Sequence, residues 1–189
     1  MQRLTQTVHE ILAARLAPGS SAVDATAGKG HDTLALARLV GPEGRVYAYD
    51  LQAAALEQTR ERLVAAGAFL QCQLHQQDHA EGLAALLEQR CGGIDAVVFN
   101  LGYLPGGDKS LVSSADRTLP ALDAAALLLR PEGILLVTAY RGHPGGPEEA
   151  DAVAEWMELR RAAGWRVEKQ APEATGGRLP PVLWIARQP

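Results

Sequence analysis

Ser21-Ala22-Val23-Asp24-Ala25-Thr26-Ala27-Gly28-Lys29-Gly30-His31-Asp32-Thr33 decides the fold, because it passes from an apolar strand through a glycine turn into a helix. Residues 21–26 read as the strand, 27–30 as the turn and 31–40 as the helix. The same alternation extends in both directions. Upstream, residues 1–16 put Leu4, Val8, Ile11, Leu12 and Leu16 on one helical face, closed by Pro18-Gly19. Downstream, strands are expected at 45–50, 69–74, 94–99 and 134–140, and helices at 53–66, 80–90, 117–129 and 147–163. Pro147 suits a helical first turn. Residues 165–187 read as two further strands around a loop at 172–181.

Short strands alternating with helices predict a Rossmann-like α/β fold: a mostly parallel seven-stranded sheet with helices on both faces. In such a sheet a ligand lies at the carboxyl ends of the strands. A length of 189 residues fits one domain, 1–189, at about 150 residues per domain, and no repeat or linker divides it. Eighteen basic against 22 acidic residues give a net charge of −4, which excludes a coat of nucleic acid held by bulk charge and leaves only a local patch. No apolar run approaches the roughly 18 residues of a membrane span, and no signal peptide follows Arg3. Cys72 and Cys91 form neither a metal-type pair nor a disulfide framework, so a reducing cytoplasmic compartment and no metal are expected.

Gly28 and Gly30 let the backbone approach a ligand closely, but Thr33 stands where a dinucleotide fingerprint has its third glycine. Lys29 does not have the spacing of a Walker loop either. Asp50 closes the second strand, where a carboxylate accepts from ribose hydroxyls, with Gln52 just beyond. Asp78-His79 follow the third strand, where an adenine ring would lie, and Asp24 can hold an ammonium group directly or through a backbone network. Ribose, adenine and amino-acid contacts in that order describe S-adenosylmethionine better than NAD. Each acid also has a plain structural reading: Asp50 as a strand-end turn residue, Asp78 as a helix N-cap, Asp32 as a first-turn acid favoured by the helix dipole.

The fourth strand runs into Asn100-Leu101-Gly102-Tyr103-Leu104-Pro105-Gly106-Gly107-Asp108-Lys109. Asn100 ends an otherwise apolar strand, and its oxygen can accept from an amine N–H. Tyr103 can stack on a base or close the pocket. This Asn-x-x-Tyr resembles the Asn-Pro-Pro-Tyr of amino-group methyltransferases, with Leu101-Gly102 in place of the prolines. The fifth strand leads into Tyr140-Arg141-Gly142-His143-Pro144-Gly145-Gly146, a shaped loop whose Arg141 and His143 can meet a phosphate or base.

These strings, with Tyr49-Asp50-Leu51-Gln52 and Glu148-Glu149, resemble in order the MnmM family of class I S-adenosylmethionine-dependent methyltransferases. Lys29 and Ala27 depart from it, since relatives often carry Asn and Cys there. The resemblance implies S-adenosylmethionine at Asp24, Ala27, Gly28, Lys29, Gly30, Asp32, Thr33, Asp50, Gln52, Asp78 and His79, and catalysis at Asn100 and Tyr103. It implies contacts to a tRNA anticodon loop from Lys109, Tyr140, Arg141, His143, Gly145 and Gly146; Arg117 is a further cation for RNA. The implied reaction converts 5-aminomethyl-2-thiouridine at the wobble position to 5-methylaminomethyl-2-thiouridine. An rRNA or small-amine methyltransferase, a non-catalytic cofactor-binding module, and a homodimer supplying RNA contacts stay open at this stage.

Overall fold

The computed structural model describes residues 4–102, 112–172 and 179–189. The chain runs α1 (Leu4–Ala13), β1 (Ser21–Asp24), α2 (His31–Val40), β2 (Arg45–Asp50), α3 (Ala53–Ala65), β3 (Cys72–Gln76), α4 (His79–Arg90), β4 (Ile94–Leu101), α5 (Ala115–Leu128), β5 (Leu129–Ala139), α6 (Gly146–Ala162), β6 (Arg166–Gln170) and β7 (Val182–Arg187). The strands form one sheet in the order β3-β2-β1-β4-β5-β7-β6. The first five pair in parallel, and β7 runs antiparallel between β5 and β6.

The central strands are apolar at successive positions because both their faces are covered. Along β4, Val97 and Phe99 point into one core with Leu83, Leu122, Trp156 and Met157 of α4, α5 and α6. Ala96 and Val98 point into the opposite core with Val8, Leu12, Leu36 and Leu63 of α1, α2 and α3. Period-two alternation thus divides the helices into two layers. The chain reverses its direction of strand addition between β1 and β4, the crevice where open α/β sheets bind ligands.

The boundaries that differ most from the sequence expectation are those of α1, β3 and β5. Helix α1 ends at Ala13 rather than 16, although Leu16 is still buried against the same core. Strand β3 lies two to three residues later than 69–74: Val46 pairs with Cys72 and Asp50 with Gln76. Phe69-Leu70 looks strand-like from its apolarity, but Leu70 is almost fully exposed and Phe69 lies beneath the Arg60 guanidinium. Strand β5 starts at Leu129, because the expected turn at 131–133 is an irregularity within it: the register with β4 shifts between Ile94↔Leu129 and Ala96↔Ile134.

Candidate active site

A cavity of about 1220 Å³ opens at the carboxyl ends of β1, β2, β4 and β5. That is above the roughly 300–1,000 Å³ of most small-molecule pockets, so there is room for a nucleoside-sized ligand and a second reacting group. Its wall includes Thr26, Ala27, Gly28, Lys29, Asp32, Asp50, Gln52, Asp78, His79, Asn100, Tyr140, Arg141 and His143.

The glycine turn is held from behind. Asp50 accepts the Gly28 N–H through Oδ2 and the Gln52 N–H through Oδ1, both at 2.8 Å. Thr59 Oγ1 donates to the Gly28 carbonyl at 2.9 Å, and Arg62 Nε donates to the Lys29 carbonyl at 2.8 Å. Gly30 has φ +75, and a Cβ there would lie 2.9 Å from the Thr59 Cα. Its task is therefore to let α3 approach the turn, not to expose backbone to a ligand, and it does not face the cavity.

Asp24, Thr33, Gly145 and Gly146 are likewise not in the cavity wall. Asp24 is fully buried; Thr33 Oγ1 donates to its Oδ2 at 2.6 Å and the Thr26 N–H donates to its Oδ1 at 3.2 Å. It braces the loop through Thr26 and Thr33. Gly145 caps α6 in a left-handed conformation, and Gly146 packs on the His143 ring, so these two shape the loop. His143 itself is buried and donates through Nδ1 to the Pro144 carbonyl at 3.0 Å. Tyr103 and Lys109 lie outside the described residues.

Burial, and then the nearby Asp32 charge, push the Asp24 carboxyl up to about 7. Its folded value lies above its unfolded one, so Asp24 favours folding most at acid pH, and that contribution is lost as pH rises from about 4 through about 7. The Tm of the unliganded protein is expected to fall from pH 5.5 to 8 more steeply than in Asp24→Asn, at about 2–4 °C per kcal/mol for a chain of this size. Parallel Tm–pH curves for the two proteins would contradict the raised value.

Beyond the end of β3, Asp78 caps α4, its Oδ1 accepting the Ala80 N–H at 2.8 Å, while Oδ2 stays 3.4 Å from Arg117 Nη1. The plain structural reading of Asp78 therefore holds, yet the residue still faces the cavity. His79 packs edge-on against Phe99 with ring centroids 5.8 Å apart. Burial lowers its pKa and keeps it neutral at pH 7, and its Nε2 has no hydrogen-bond partner among the described residues.

At the other end, the Asn100 backbone N–H donates to Thr26 Oγ1 at 2.7 Å, tying β4 to the end of β1. The Asn100 Nδ2 donates to Asp32 Oδ2, and His9 Nε2 lies 2.5 Å from Asp32 Oδ1. A carboxylate only accepts, so the Asn100 amide nitrogen must face Asp32 and its oxygen must point away. Sequence reasoning missed His9, which enters the cavity wall with Thr5 and Gln6 on the polar face of α1. Glu149, read in the sequence only as part of the resemblance, is a buried carboxylate that accepts from Ser113 Oγ at 2.7 Å and Thr118 Oγ1 at 2.6 Å, joining α6 to the start of α5. Among the described residues no cluster of His, Cys, Asp and Glu can hold a metal ion, and no helix is long and apolar enough to cross a membrane.

A family model described as "Putative rRNA methylase" matches residues 46–185. The tRNA (mnm5s2U34)-methyltransferase of Arabidopsis thaliana, a chloroplastic protein, is 37% identical over 165 residues, covering 80% of this chain. The chain spans 58% of that relative's length. A Clostridium thermocellum structure of the same description as the family is 31% identical, with a TM-score of 0.89 over 99% of this chain and 98% of its own. A Streptococcus mutans structure, a "putative methyltransferase" in complex with SAH, is 30% identical, with a TM-score of 0.84 and coverage of 99% and 98%.

Proposed function

Because the chain belongs to this rRNA methylase family, we propose that it is an S-adenosylmethionine-dependent N-methyltransferase acting in the cytoplasm on an aminomethyl group of a tRNA wobble uridine. The observation that carries the reading is Asn100. Its amide oxygen is turned away from Asp32 at the end of β4, in the cavity that the glycine turn and Asp50 also line.

The residues fit the cofactor. The Asp50 carboxylate lines the crevice, which suits a cationic ligand, and the His79 Nε2 is buried there with no partner among the described residues. In this reading Asp50 receives the ribose hydroxyls with its remaining lone pairs, Asp78 and His79 flank the adenine, and the peptide groups of Ala27–Lys29 border the amino-acid moiety. Asp24 holds the turn from behind through Thr26 and Thr33. The similar Streptococcus mutans protein with SAH, the demethylated cofactor, supports this. When bound, S-adenosylmethionine supplies a methyl group already activated on a sulfonium, so no covalent enzyme intermediate is needed.

What is left to the chain is placement. The amine must be neutral and in line with the breaking bond at a near-attack separation of about 3–3.5 Å. Asn100 Oδ1 would accept one amine hydrogen and so aim the lone pair. At the mouth, Tyr140 is 41% exposed and offers a ring to an unstacked base. Arg141 and Arg117, both in the cavity wall, supply positive charge for phosphates on a chain that is acidic overall. The similar Arabidopsis thaliana protein, by its name a tRNA methyltransferase, supports tRNA over rRNA; the family description favours rRNA as the second reading.

Mass spectrometry of nucleosides separates the two. Incubation with S-adenosylmethionine and tRNA carrying 5-aminomethyl-2-thiouridine is expected to give a 5-methylaminomethyl product, and none on rRNA. A methylated rRNA nucleoside with unchanged tRNA would reverse the assignment.

A further inference from the structure

Asp32 stands in the first turn of α2, where an acid ordinarily caps backbone N–H groups, yet its two oxygens go to side chains from two other elements. Oδ2 takes the Asn100 Nδ2 from β4, and Oδ1 lies 2.5 Å from His9 Nε2 on α1. We propose that Asp32, held in turn by His9, is a positioning residue that fixes the Asn100 amide with its oxygen toward the reacting amine. This rests on the N-methyltransfer reading above.

An asparagine side chain has two ends of nearly equal shape and opposite hydrogen-bonding sense. At an amine-methylating site only one end is useful. The oxygen accepts an amine N–H, whereas the NH₂ group would face those hydrogens donor to donor, or would occupy the lone pair that must attack. A water or hydroxyl partner on the far side would tolerate either orientation. A carboxylate does not, because it accepts only. Asp32 therefore removes the unproductive orientation before the substrate arrives, and a preorganised group costs no rearrangement at the moment of reaction.

His9 completes the chain. The Asp32 side chain is 11% exposed and that of His9 34% exposed, so the carboxylate is largely withdrawn from water and its second oxygen is held by a donor from α1. Asn100 is also fixed at its backbone N–H by Thr26, leaving the side-chain torsion as its main freedom. Helix α1 thus belongs to the reacting end and not only to the core that Val8 and Leu12 fill.

The experiment measures turnover on the 5-aminomethyl-2-thiouridine tRNA and, by calorimetry, affinity for S-adenosylmethionine, in wild type, Asp32→Ala, Asp32→Asn, His9→Gln, Asn100→Ala and the Asp32→Ala/Asn100→Ala pair. Asp32→Ala is expected to lower kcat about 10²-fold, the scale of a misplaced reacting geometry, with cofactor Kd unchanged within about threefold. Asp32→Asn can offer Asn100 either an acceptor or a donor, so it is expected to recover only part of that loss, up to about tenfold. Once Asn100 is alanine, Asp32→Ala is expected to add less than about threefold, the non-additivity of a residue acting through its partner. His9→Gln shows the same split between kcat and Kd with a smaller loss, and this variant and Asp32→Asn carry the test if Asp32→Ala does not fold. Cofactor affinity falling in step with turnover, or additive losses in the double variant, would overturn the proposal while leaving the reading intact. No product from the wild-type protein would overturn the reading and the proposal together.

Discussion

Asn100→Ala is expected to lose methyl transfer by about 10²–10³-fold, the range seen when one preorganised polar group is removed from a reacting centre. Cofactor affinity should stay within about threefold. The separation follows from what the substitution leaves in place. The backbone N–H of residue 100 still donates to Thr26 Oγ1, so β4 keeps its tie to β1. Phe99 and Leu101 on either side are fully buried, and their packing does not depend on the amide. The glycine turn and Asp50 are untouched. What disappears is the acceptor that the proposed reading aims at the amine. Asn100→Asp is expected to be no better: it sets a second carboxylate against Asp32, and two like charges in contact force one to take a proton. Single-turnover methylation beside calorimetry checks both variants, and activity of Asn100→Ala within tenfold of wild type would remove Asn100 from the chemistry.

Asn100 was legible in the sequence because it follows the apolar run Ala96-Val97-Val98-Phe99: one polar side chain after that run needs a reason. The turn from Asp24 to Thr33 was legible because its geometry is local, set by glycines and the strand-to-helix transition. Alternation and handedness then left few topologies, and the strand order itself came only with the structure. What stayed hidden depends on contacts between distant segments. His9 sits on the polar face of a helix whose other face is plainly apolar, so the sequence presents it as a solvated residue. Only the docking of α1 against α2 carries it to Asp32, 23 positions away. Glu149 likewise looks like a first-turn acid of α6, and its burial against Ser113 and Thr118 comes from the packing of α5. Gly30 was legible as a glycine position but not in its purpose, since Thr59 on α3 supplies the steric reason. Strand β3 was misplaced because it is an edge strand, where one-sided burial weakens the apolar signal that marks β1, β4 and β5.

Asp50→Ala should weaken S-adenosylmethionine binding by roughly 10–150-fold, with kcat at saturating cofactor changed little. The size comes from the bonds. A hydrogen bond to a charged group is worth about 1.5–3 kcal/mol, and each 1.4 kcal/mol is tenfold in affinity. Asp50 holds the Gly28 and Gln52 N–H groups, so it both faces the cofactor cavity and sets the direction of the Gly28 peptide. Thr59 and Arg62 hold only the carbonyl side of that turn and cannot replace it. The loss then has two sources, the ribose contact and the displaced turn, which a cofactor analogue lacking the ribose hydroxyls resolves. If Asp50 meets the ribose, the wild-type protein should bind the analogue more weakly than the cofactor by most of the Asp50→Ala effect, and Asp50→Ala should scarcely distinguish the two ligands. A variant that discriminates between them as well as wild type would leave Asp50 as a brace for the glycine turn alone, with the ribose held elsewhere in the crevice.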